Sequence, residues 1–151
     1  MIATPLARLS ALLLLLSTPA VFAAEQAATP SLDFEFYRTR VEPIFLQKRP
    51  THARCVVCHA GSTNAFHLEP LLPGSSTWTV EQSRRNFAIV SRLVVPGDPT
   101  ASHLLLHPLA PDAGGDAFHS GGRQFASQDD PDWRTLAEWV RGAKPGAATA
   151  R

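Results

Sequence analysis

Cys55-Val56-Val57-Cys58-His59 constrains this chain more than any other stretch, because its two thiols are the only cysteines present. Residues three apart on a helical turn project to the same side. Both sulfurs can therefore reach one edge of a flat ligand, and the histidine that follows the second cysteine falls beneath its centre. Cys-x-x-Cys-His at this spacing is the attachment signature of a c-type haem. The cysteines would form thioethers to the porphyrin and His59 would be the proximal iron ligand. Other uses of the pattern fit less well. A thiol–disulfide redox site belongs in a βαβ setting, which the sequence lacks. Half a zinc site needs a second pair of soft ligands. A disulfide closing so small a loop would add little stability.

The N-terminus points to the same chemistry. Residues 1–8 carry one positive side chain, residues 9–16 are almost wholly apolar, and Ser17-Thr18-Pro19 breaks the run before Ala20-Val21-Phe22-Ala23-Ala24. This is the layout of a secretory signal peptide, 1–23, with cleavage expected after Ala23. The apolar run is short for a membrane span of about 20 residues. An uncleaved anchor is the competing reading. Because c-type haem is attached on the exported side of bacterial membranes, the leader and the haem motif predict each other, and the expected location is the periplasm, with no membrane span in the mature form.

Losing Arg8 leaves thirteen basic and thirteen acidic side chains, a balance that offers no nucleic-acid footprint. Arginine supplies nearly all the basic charge, with only Lys48 and Lys144 as lysines. Its planar fork suits haem propionates, although solvated surface is the usual role for any single arginine.

Helical patterning fills the rest. Residues 24–30 read as a disordered lead-in, 31–143 as one domain, and 144–151 as a flexible tail. Ser31 can cap a first helix whose apolar stripe is Phe34, Tyr37, Val41, Ile44 and Phe45. Pro43 predicts a kink or a restart, with Thr39 and Glu42 as a capping box for the latter. Residues 60–76 form a long irregular stretch, expected to wrap the porphyrin. Thr79 and Gln82 cap a helix running towards Arg92. A short helix is expected over 100–106, then loop over 110–128. Asp130-Pro131-Asp132 opens the last helix, with Trp133, Leu136, Ala137 and Val140 buried and Gly142 ending it. No alternating strand pattern occurs, so the fold class is all-α, with one haem for one motif.

In order and content these pieces resemble the monohaem cytochrome c fold, an aromatic N-terminal helix preceding the haem motif and a Trp-containing helix closing the chain. A closer likeness is to cytochrome-c-like domains widespread in planctomycetes and related bacteria. It is carried by Val41-Glu42-Pro43-Ile44-Phe45, by Pro96-Gly97-Asp98-Pro99 with Ser102 and Leu105, by His119-Ser120-Gly121-Gly122, and by the final helix, together spanning most of 34–142. The resemblance implies a cytochrome c-like fold with long haem-wrapping loops, in which the first and last helices pack together. It also implies a one-electron carrier, or the electron-entry subunit of a larger assembly, exchanging electrons with periplasmic redox proteins and catalysing no bond-making reaction.

The sequence departs from many cytochromes c in one respect. Its only methionine is Met1, so no methionine of the mature chain can bind the iron. Five histidines besides His59 remain: His52, His67, His103, His107 and His119. His119 is the first candidate for the distal ligand, since it lies in the loop where the resembling cytochromes present theirs, and Gly121 and Gly122 let the backbone turn close to the ring. His107, ending the apolar run Leu104-Leu105-Leu106, is the alternative. Two histidine ligands imply electron transfer at a lower potential than a His/Met site. An open distal position would instead suit a gas-binding or sensor module, or a peroxidase-type enzyme with His107 and Arg123 as distal groups.

Overall fold

The computed structural model describes residues 30–146, so the expected leader, nearly all of the lead-in and the last five residues lie outside the described region. Five helices organise it, joined by long loops and single 3-10 turns: α1 (34–46), α2 (Cys55–His59), α3 (Val80–Val90), α4 (His103–Leu106) and α5 (Pro131–Val140). Among the described residues there are no strands, only isolated bridges such as Ala60 with Leu68 and Leu109 with Phe125. None of the described helices is long and apolar enough to cross a membrane.

The α1 cap is Asp33, not Ser31. Its carboxylate accepts a hydrogen bond from the Phe36 amide at 2.8 Å, satisfying one of the donors that a helix start leaves open. The helix does not restart at Thr39. Instead it widens into a π-segment, Tyr37–Val41, and continues as Glu42–Leu46. Pro43 explains the widening, since it has no N–H for the carbonyl four residues back and its ring crowds that group. The Thr39 hydroxyl bonds backwards to the Glu35 carbonyl at 2.6 Å and takes no part in a capping box.

The region expected as one helix over 100–106 is divided. A 3-10 turn, Pro99–Ala101, precedes α4. At the break, the Ser102 hydroxyl donates to the Asp98 carbonyl at 2.6 Å and accepts from the Val95 amide at 3.0 Å. The Thr79–Gln82 capping box on α3 and the Asp130 cap on α5 both form.

The core lies where α1 meets α5. Tyr37, Val41, Trp139, Val140 and Ala137 are fully buried there. The Tyr37 and Trp139 rings approach to 5.3 Å between centres, and the Trp139 Nε1 donates to the Asp33 carbonyl at 3.0 Å. The first and last described segments meet on the same side. The Gly97 amide donates to the Val140 carbonyl, while Pro30 packs so tightly on Gly142 that a Cβ there would sit 2.8 Å from the proline ring. Together these contacts hold α1 and α5 as the frame against which α2 and the loops are laid.

Candidate haem site

Helix α2 is barely more than one turn long, and Val56 is its buried foot. The loop that follows is tied back onto it. The Leu68 amide donates to the His59 carbonyl at 2.9 Å, and the Gly61 amide to the Leu68 carbonyl at 3.1 Å. This fold-back delivers the Phe66 carbonyl to the His59 ring, where Nδ1 donates to it at 2.7 Å. A carbonyl can only accept, so Nδ1 carries the proton and Nε2 keeps its lone pair. Burial lowers the His59 pKa, against the raising pull of the Phe66 carbonyl, and nearby His119 and His107 lower it further. A neutral imidazole with its remote nitrogen on a carbonyl is the form in which histidine binds metal.

The same device recurs across the cavity. The His119 Nδ1 lies 2.5 Å from the Gly122 carbonyl, so Nδ1 is again the nitrogen that donates. Glycine makes that turn possible: Gly122 has a φ of +79°, and a Cβ on Gly121 would stand 3.1 Å from the His119 ring. The His59 and His119 rings are parallel to within 8°, their centres 6.4 Å apart. A nitrogen bound to a metal at about 2 Å puts its ring centre about 3 Å from the ion. Two imidazoles on opposite sides of one ion would thus have centres about 6 Å apart. The observed spacing matches.

Cys55, Cys58, His59 and His119 all line one cavity of about 370 Å³, whose apolar wall includes Ile44, Phe45, Phe66, Leu104, Phe125 and Leu136. That volume falls within the range of ligand pockets, about 300–1,000 Å³. Cys55 and Cys58 are not bonded to each other. Burial pushes the Cys55 thiol up to about 11. The residues present therefore fit a covalently held haem on three counts: both thiols lining the cavity, two carbonyl-oriented imidazoles at one-ion spacing, and an apolar lining.

The remaining histidines are also placed. The His107 ring stands edge-on to His119 at 4.9 Å and its Nδ1 lies 3.0 Å from Asp116. His103 neighbours His107 at 4.7 Å between ring centres. Both line the cavity. His67 is exposed, with Nδ1 on the Asn64 carbonyl, and half-buried His52 abuts Gly122. Arg123 donates to the His107 carbonyl at 3.1 Å and is not part of the cavity wall.

Sequence reasoning missed two supports of this site. Arg49 reaches across to the start of α5, bonding Asp130, Asp132 and the Gln124 carbonyl while covering the Phe125 ring. Phe66, whose ring leans against His59 at 4.4 Å between centres, also carries the carbonyl that orients it. An arginine in a polar link and a phenylalanine in a loop have no local pattern to reveal them.

No protein family, curated protein or solved structure matches the chain. The site's own geometry carries the functional reading.

Proposed function

We propose that the chain is a monohaem c-type cytochrome of the periplasm that carries single electrons, alone or as the electron-entry subunit of a larger assembly. The observation that carries this reading is the parallel pair His59 and His119, 6.4 Å apart and each oriented by a backbone carbonyl, in a cavity that both thiols also line. Cys55 and Cys58 would hold the haem as thioethers, His59 would be the proximal ligand and His119 the distal one. A haem bound there supplies a one-electron ferric–ferrous couple. The chain's own groups do the rest. The Phe66 and Gly122 carbonyls fix both imidazole orientations, Phe45, Leu104 and Leu136 exclude water, and α1 with α5 keeps the frame rigid. The helical architecture is compatible with a cytochrome c-like fold, which belongs to the same proposal. So do the periplasmic location, which rests on the leader-like residues 1–23, and a periplasmic redox partner at the cavity mouth.

Expression in a host competent for cytochrome maturation tests the reading. The purified protein should have the mass of the processed polypeptide plus one haem. Its spectrum should be low-spin in both oxidation states and unmoved by carbon monoxide. A protein without added mass overturns haem attachment. Ferrous protein that binds carbon monoxide overturns the carrier and turns the reading to the gas-binding or peroxidase type.

A further inference from the structure

His103, His107 and Asp116 form a second constellation at the rim of the cavity, and Asp116 lies outside the cavity wall. The two histidines are one helical turn apart, with the His107 amide bonded to the His103 carbonyl at 3.0 Å. They therefore share a helix face. Asp116 is brought to that face by a tight loop. Its amide donates to the Leu106 carbonyl at 3.0 Å, so its backbone is fixed to the helix that carries both imidazoles. Gly115 allows this approach, because a Cβ there would stand 2.0 Å from the Leu109 carbonyl oxygen. Arg123 occupies the His107 carbonyl and holds the helix end.

The donor atoms converge. Asp116 Oδ2 lies 3.0 Å from the His107 Nδ1 and 3.4 Å from the His103 Nδ1. Tetrahedral ligands bonded at about 2.0–2.1 Å are about 3.3 Å from one another. Two imidazoles hydrogen-bonded to a shared carboxylate reach similar distances; a dication in their place would take a lone pair from all three groups at once.

We propose that His103, His107 and Asp116 bind one divalent cation of the zinc class, through two imidazole nitrogens and one carboxylate oxygen. Imidazole favours zinc, nickel and copper over calcium or magnesium. Solvent completes the coordination, since His103 is exposed. The site shares no residue with the Cys55, Cys58, His59 and His119 set, and it rests on the proposed reading in one respect, that the iron takes His119 and leaves His107 free.

Zinc titrated calorimetrically into tag-free, full-length mature protein at neutral pH tests it. One equivalent should bind. His103→Ala and Asp116→Asn should each weaken binding by roughly tenfold or more, while His67→Ala, an exposed histidine elsewhere, should leave it unchanged. X-ray absorption at the zinc edge should show only nitrogen and oxygen neighbours. Absence of saturable binding, equal binding by all variants, or sulfur in the zinc shell would each overturn the proposal. Far-UV circular dichroism of the variants checks that they are folded. Should either be misfolded, Asp116→Glu, which keeps the carboxylate, must still bind zinc.

Discussion

Single side chains decide what this site does, and the two cavity histidines make different predictions. His119→Ala should convert a low-spin iron to a high-spin, carbon-monoxide-binding one, read directly from the absorption spectrum. His107→Ala should leave the low-spin bands in place, because in the proposed assignment its ring is a neighbour of the distal ligand. The reverse outcome would assign the iron to His107. Glu42 offers a residue-scale test of stability. Its buried carboxylate accepts from the Ser83 hydroxyl at 2.6 Å, while its Oε1, the Tyr37 hydroxyl and the Asn86 Nδ2 have no partner. Burial raises the Glu42 pKa, against the lowering pull of Ser83. A raised folded pKa means its favourable contribution is complete below the unfolded value, about 4.3, and is lost as pH rises through the folded one. Glu42→Gln should therefore stabilise the protein by about 1 kcal/mol at neutral pH. The gain should vanish near pH 4, as urea unfolding at both pH values would show.

At the scale of elements, capping and clamping set the outcome. Arg49 is mostly buried between Asp130 and Asp132. Burial alone would lower its pKa, but hydrogen bonding and attraction to Asp130 and Asp132 carry it up. Asp130 is raised by burial, yet bonding to Arg49 and the Asp132 amide brings it below the usual carboxylate range. Arg49→Ala leaves two carboxylates at one helix start without their cation and should cost about 2 kcal/mol, visible as a lower midpoint in urea. A depressed folded pKa stabilises above the unfolded value, about 3.9, and that stability is lost as pH falls through the folded one. The Arg49→Ala deficit should accordingly shrink in acid. Gly142→Ala should cost about 2 kcal/mol, because φ is +89° and Pro30 occupies the space a methyl group needs. Helices with local signals were legible in the sequence: the Asp130-Pro131 start, the Thr79–Gln82 box, the Gly142 stop. The π-segment was not, because Pro43 announces a disturbance without saying whether the helix breaks or swells. Nor was Trp139, which falls beside the heptad-like stripe yet is fully buried because α1 covers that flank. The thiols and His59 could be read from spacing. His119 could be offered as the partner from its loop and from Gly121-Gly122, but the parallel approach of two rings sixty residues apart depends on how loops 60–68 and 110–122 fold back, and no local pattern encodes that.

Across the whole molecule, the cavity occupies the place where a small domain would otherwise keep side chains. Ile44, Phe45, Leu136 and Phe125 reach it from opposite elements, so an occupant joins α1, α2 and α5 into one apolar unit. Under the proposed haem attachment, replacing both cysteines by alanine should abolish covalent loading and reduce the free energy of unfolding by several kcal/mol, on the order of what filling a large apolar void contributes. Comparison of loaded and unloaded protein by urea denaturation would show it. On the face formed by Pro30, Gly97 and Gly142, the first and last described segments run side by side, with the Lys144 ammonium 3.2 Å from the Ser31 hydroxyl. Neither segment contributes to the cavity wall. A linker of a few residues could therefore join Lys144 to Pro30, and the chain could be opened at Gly74, where a Cβ would meet nothing within 4 Å. If the cavity holds haem as proposed, such a permuted protein should keep its colour, since neither splice nor opening touches the cavity wall.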